Sequence, residues 1–156
     1  MRKKLAVFLT GVGLSCALAH AQSLPVEITG HWRIVRILPT KNLTCWDADK
    51  ARMLVGTTLH YEPQRLTWHG GPFPISEALT RTLSPRNFQD EYKIDPSDLG
   101  LRSPNVREID LQHEDADITG ATTEVPGDTI LVAGPGRIVV SACGVFYSAV
   151  RVTGAR

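Results

Sequence analysis

Cysteine, aromatic residues and any excess of charge are all scarce in this chain. Three Cys, three Trp, three Tyr and four Phe occur among 156 residues. His31, His60, His69 and His113 stand singly, without the short spacing that places two ligands on one metal. There is no Gly-x-Ser-x-Gly elbow, no glycine-rich phosphate cradle and no His-Glu-x-x-His pair. The 17 basic and 16 acidic residues nearly cancel, which excludes the concentrated positive face that nucleic acid or an anionic membrane requires. Past the first twenty or so residues no apolar run approaches the ~20 residues that span a bilayer.

What the chain does have begins at its start. Arg2, Lys3 and Lys4 precede an apolar run from Leu5 to Leu18, which ends in Ala19-His20-Ala21. Positive, apolar, then small-x-small is the order of a cleavable secretory signal. Residues 1–21 are therefore expected to leave, and residues 22–156 to form one exported domain in the periplasm or medium. An uncleaved anchor is one alternative. Cys16 offers a second, since a lipoprotein is cut before such a cysteine, but Gly13 stands where that signal prefers Leu. The leader holds three of the basic residues and none of the acidic ones, so the mature domain is slightly acidic.

Cleavage near Ala21 leaves Cys45 and Cys143. In an oxidising compartment a lone pair is expected to form a disulfide. Closing a loop of about 100 residues stabilises by about 4.7 kcal/mol in the chain-entropy treatment, less any strain. A nucleophilic role for Cys143 is the weaker reading, because no His is near it in sequence and a paired thiol does not attack.

The mature chain reads mainly as strand. Gly30 to Leu38 alternates, with Trp32 and Ile34 on one side and Arg33, Val35 and Ile37 on the other, and Pro39 ends it. Asp47 caps a short helix that Gly56 stops. Leu59 and Tyr61, then Leu66 and Trp68, flank the turn Glu62-Pro63-Gln64 as a hairpin. Pro72 and Pro74 are expected to break the chain. Ile75 to Ser84 favours a strand, Ser84-Pro85 opens a helix, and Asp95-Pro96 repeats that signal. Val106 to Leu111 is a strand, followed by an acidic loop. Three β-branched runs, DTILVAG, GRIVVSACG and VFYSAVRVT, form a closing meander. The expectation is an all-β domain: a single small antiparallel β-barrel of about seven or eight strands with two or three short helices. The proposed disulfide would join the loop after the first strand to the turn before the last, and those strands are neighbours in a closed barrel.

Gly30-His31-Trp32 on the first strand resembles the Gly-x-Trp that opens lipocalin and lipocalin-like (calycin-type) barrels. In that family an Arg near the end of the barrel packs over this Trp, and Arg151 sits where that residue would fall. The resemblance implies a small barrel able to hold a ligand, with Trp32 closing its floor and Arg151 stacking on the indole. The chain departs from the family in being short and in placing a helix between the first two strands.

The binding candidates follow from residue type. Trp46, Tyr61, Trp68 and Phe73 are the aromatics suited to an apolar or amphipathic small molecule, although core packing is the more common role for each taken singly. Asp115, Asp117 and Thr119, with Gly120, match the first half of a calcium loop, but Pro126 stands where the bidentate Glu would be, so a solvated acidic turn is expected. His60 and His69 would approach each other across the hairpin, yet two ligands do not make a site. The reading is a non-enzymatic, monomeric binding protein of the cell envelope, without cofactor, whose partner is a small molecule. Two alternatives remain: a protein-binding module, such as an inhibitor of a secreted hydrolase or an envelope accessory factor using loops 69–74 and 112–128, and a small hydrolase with dispersed catalytic groups.

Overall fold

The computed structural model describes residues 23–39, 47–113 and 125–153. The leader with Cys16, then Cys45, Trp46, Asp115, Asp117 and Thr119, lie outside the described residues. The elements run in the order β1 (Gly30–Ile37), α1 (Ala48–Met53), β2 (Thr58–Glu62), β3 (Arg65–Trp68), β4 (Gly71–Pro74), β5 (Glu77–Leu83), α2 (Pro85–Tyr92), a 3-10 turn (Pro96–Leu99), β6 (Val106–Gln112), β7 (Thr129–Gly134), β8 (Arg137–Ala142) and β9 (Val145–Arg151). All of the strands belong to one antiparallel sheet, in the order β4-β3-β2-β1-β9-β8-β7-β6-β5, curled into a half-barrel.

That order is two meanders. The first runs from β1 to β4 and the second from β5 to β9, and the seam between them is β1 against β9. Trp32 faces Arg151 across it, Ile34 faces Ala149 and Ile37 faces Tyr147, with a bulge between Ile34 and Arg36. The expected proximity of first and last strand is thus a direct ladder.

Period-two patterning decides what the curl encloses. Trp32, Ile34, Leu59, Tyr61, Leu66, Ile109, Ile130, Ile138, Val140, Tyr147 and Ala149 form one interior core with Ala51 and Leu54 from the α1 region. Tyr61 and Tyr147 are buried in it, their hydroxyls donating to Gly127 O at 2.8 Å and Ala51 O at 3.1 Å. Gly127 has φ +92°, and a Cβ there would lie 2.4 Å from the Tyr61 hydroxyl, so only glycine fits. The alternate residues Leu83, Val106, Leu131, Val139 and Phe146 pack on the outer face beneath Phe88 of α2 and Leu99 of the 3-10 turn.

Both helices are capped as their sequences require. Asp47 Oδ1 accepts from the amides of Asp49 and Lys50 at 3.1 and 2.8 Å, and Ser84 Oγ accepts from Asn87 N at 3.2 Å ahead of Pro85. Pro72 and Pro74 do not break the chain as expected. They pair with Thr67 and Arg65 as part of β4. An edge strand tolerates proline because its outward amides have no partner to lose.

Beyond β4 a two-residue link leads into β5, and the ends of the two meanders are tied there. Ser76 N and Oγ both donate to Gln112 O, at 2.8 and 2.9 Å. His113 Nδ1 lies 2.6 Å from Pro74 O and Nε2 lies 2.7 Å from Asp128 Oδ1. Both partners accept, so both ring nitrogens donate only when the imidazole is charged. The hydrogen bond to Asp128 accordingly lifts His113 above its ordinary value. A group whose folded value is raised stabilises fully below its unfolded value, about 6.5 for His, and loses that contribution as pH rises through the folded value. Wild-type protein should lose about 1 kcal/mol of urea-unfolding stability between about pH 5.5 and about pH 8.5 that His113→Gln does not lose, the worth of about one net hydrogen bond. Parallel pH profiles for the two proteins would refute the latch.

Candidate functional site

One end of the half-barrel is capped from the N-terminal side. Ile28 N donates to Pro25 O at 2.9 Å, making a tight turn that leads into Gly30, and Leu24 and Ile28 are buried beneath it. Trp32 Nε1 donates back to Ile28 O at 2.7 Å. Because Val145, Tyr147, Ala149 and Arg151 alternate onto the inner face of β9, Arg151 arrives over Trp32, its Cζ 4.3 Å from the indole ring. The guanidinium also donates to Thr29 O at 2.7 Å and to Glu27 O. Gly30 makes room for it: with φ +122°, a Cβ there would meet Arg151 Nη1 at 2.8 Å. The Glu27 carboxylate turns the other way and pairs with Arg107 on β6, and backbone and Arg107 hydrogen bonds hold its carboxyl below the usual range.

Two adjoining clefts flank this cap. One of about 690 Å³ is lined by Arg102, Ser103, Asn105, Arg107, Val132, Ala133, Gly134, Pro135 and Arg137. The other, of about 380 Å³, reaches Glu27, Trp32, Ile138 and Arg151 and shares Val132, Gly134 and Pro135 with the first. The larger is an open cleft on the surface rather than an enclosed cavity. Its lining sets three guanidiniums, one of them paired with Glu27 from the adjoining cleft, beside the apolar Val132, Ala133 and Pro135.

The aromatics chosen from the sequence fall elsewhere. Tyr61 is a core residue rather than a ligand contact: it is fully buried, and burial, with the Asp128 charge, pushes its hydroxyl well above the ordinary value. Trp68 and Phe73 are half-buried and pack against the main core, and Trp68 Nε1 is buried without a hydrogen-bond partner. Trp46 lies outside the described residues. His60 does not face His69. It stands opposite Thr67 in the hairpin and stacks on His31 of β1 at 3.9 Å, while His69 stacks on Trp68 at 4.4 Å. Among the described residues no three His, Cys, Asp or Glu side chains are grouped to hold a metal.

A second polar cluster sits on the outer face. Glu108 is buried on β6, where it accepts from Arg81 Nε and from the Tyr92 hydroxyl, each at 2.5 Å. Arg81 also holds Glu91 of α2 at 2.5 Å. Burial pushes the Glu108 carboxyl up, against the pull of Tyr92 and Arg81. Every member bonds another member, so the cluster fastens α2 to the sheet.

Comparison with family models, with curated proteins and with solved structures finds no match to this chain.

The cap makes a direct prediction. Arg151→Met keeps the volume but strands two backbone carbonyls and removes the indole contact, and should lower stability by about 2–3 kcal/mol in urea unfolding, with Trp32 emission shifting to the red. Unchanged stability would show that the stack contributes nothing.

Proposed function

We propose that this is an exported, non-enzymatic binding protein of the bacterial cell envelope, a lipocalin-like barrel that takes a small amphipathic ligand. The observation that carries the reading is the 690 Å³ cleft beside the cap, polar and cationic on one side and apolar on the other. The ligand is taken at this cleft, since the interior is filled by Trp32, Tyr61 and Tyr147, each at or below 1% exposure, and their buried aliphatic neighbours. The contact of Arg151 with Trp32 supports the lipocalin-like assignment.

The same reading includes export behind residues 1–21 and a Cys45–Cys143 disulfide. Support for the bridge comes from both ends of the segment between Pro39 and Asp47. Leu38 N donates to Phe146 O at 2.8 Å, and Ala51 O accepts from the Tyr147 hydroxyl. The segment therefore starts and finishes against the first residues of β9, next to buried Cys143. Among the described residues no helix is long and apolar enough to cross a membrane.

A protein-binding module is the second reading, favoured by Val35 and Ile37, two apolar residues of β1 left exposed at and beyond its bulge. Mass spectrometry of protein recovered from a bacterial periplasm separates the readings. The account expects a chain beginning at Gln22, two hydrogens short, that retains a small molecule in its native spectrum. A diacylglycerol on Cys16, or a bare chain that captures an envelope protein, would overturn it.

A further inference from the structure

We infer that Arg102, Arg107 and Arg137 form the head-group site of that cleft, and that the ligand is a small molecule with one oxyanion head (phosphate, sulfate or carboxylate) and an apolar body. The inference deepens the binding-protein reading and rests on it.

Three residues far apart in sequence converge here because the fold brings their segments side by side. Arg107 is near the start of β6, Arg137 opens β8, and Arg102 lies in the loop between the 3-10 turn and β6. Proline stiffens both rims, at Pro104 in that loop and at Pro135 in the β7–β8 turn. Arg137 is aimed: its Nη2 donates to Gly100 O, and Gly100, at φ +71°, is left-handed and would place a Cβ 3.5 Å from Nη1. Arg107 is aimed by Glu27, through Nη1.

A guanidinium carries five N–H donors, so Arg107 and Arg137 each keep most of theirs after these bonds. Arg102 is exposed and makes no hydrogen bond or ion pair among the described residues. Ser103 and Asn105 add uncharged polar groups at the rim. Glu27 offsets the charge of Arg107 from the adjoining cleft, while Arg102 and Arg137 have no carboxylate partner among the described residues, and an oxyanion accepting from these guanidiniums in bidentate fashion supplies the missing counter-charge. The neighbouring wall of Val132, Ala133 and Pro135 is what selects an organic anion over a bare one.

The test is calorimetric titration of the full mature chain at low salt with octyl phosphate, octyl glucoside and inorganic phosphate. Octyl phosphate should bind at least about tenfold more tightly than either of the others, and Arg102→Glu should weaken it by at least about tenfold with an unchanged melting temperature. Arg102→Lys should retain part of the affinity. No binding of octyl phosphate, affinity no better than that of inorganic phosphate, or equal affinity in Arg102→Glu would overturn the site. The two failures are separable: a small molecule retained equally by wild type and Arg102→Glu in the native mass spectrum would remove this site and leave the binding-protein reading standing. A wild-type chain that retains none would remove that reading itself.

Discussion

The ladder between β1 and β9 is the constraint on which the rest of the structure depends. Without it the chain is two meanders, one of four strands and one of five, joined by the short link between β4 and β5 and a few hydrogen bonds such as those of His113 and Tyr61. Each would expose an apolar face. With it, Trp32 and Ile34 from one meander and Tyr147 and Ala149 from the other share a single interior. The pairing joins strands more than a hundred residues apart, so its loop-closure cost is high, and it is reinforced where that cost falls. Arg151 stacks on its own cross-strand partner Trp32 and bonds the carbonyls of Thr29 and Glu27, tying the last strand to the turn before the first.

The geometry of the cleft is a by-product of that closure. Pulling the N-terminal turn over the barrel end places Glu27 against Arg107, which orients one wall of the cleft. The β7–β8 turn forms the other side. A cleft built this way sits outside the packed interior, so a ligand taken there, as proposed, would exchange without opening the core. The outer-face cluster of Glu108, Arg81 and Tyr92 keeps α2 on the sheet beside these elements and holds Val106 and Leu83 covered.

Much of the fold was legible because local patterning and final burial agree. The alternation in VFYSAVR puts Tyr147, Ala149 and Arg151 on one face, and it does so in the sheet. The caps at Asp47 and Ser84 start the helices they announce. Where expectation and structure part, a non-local partner decides. Pro72 and Pro74 read as breakers because proline lacks an amide, yet β4 lies at an edge where half of the amides go unused. That additional strand takes the sheet past the seven or eight expected. The binding aromatics were chosen by residue type alone. Type cannot show that the Tyr61 hydroxyl would be taken up by the carbonyl of Gly127, 66 residues away in sequence but 2.8 Å away in space. The arginine cleft left no local signal at all. Arg102, Arg107 and Arg137 are unremarkable in a chain with 17 basic residues, and only the β6-β7-β8 ladder collects them.

The most direct test of the central claim is native-state hydrogen exchange resolved to single amides. If the β1–β9 seam holds the two meanders together, the amides of Leu38 and Val152, which donate across it to Phe146 O and His31 O, and those of the paired Arg33 and Val150 between them exchange only through global unfolding and are the slowest in the protein. If amides within β6, β7 and β8 remain protected under conditions where the β1–β9 amides have already exchanged, the meanders are separately stable and the seam is not the constraint described.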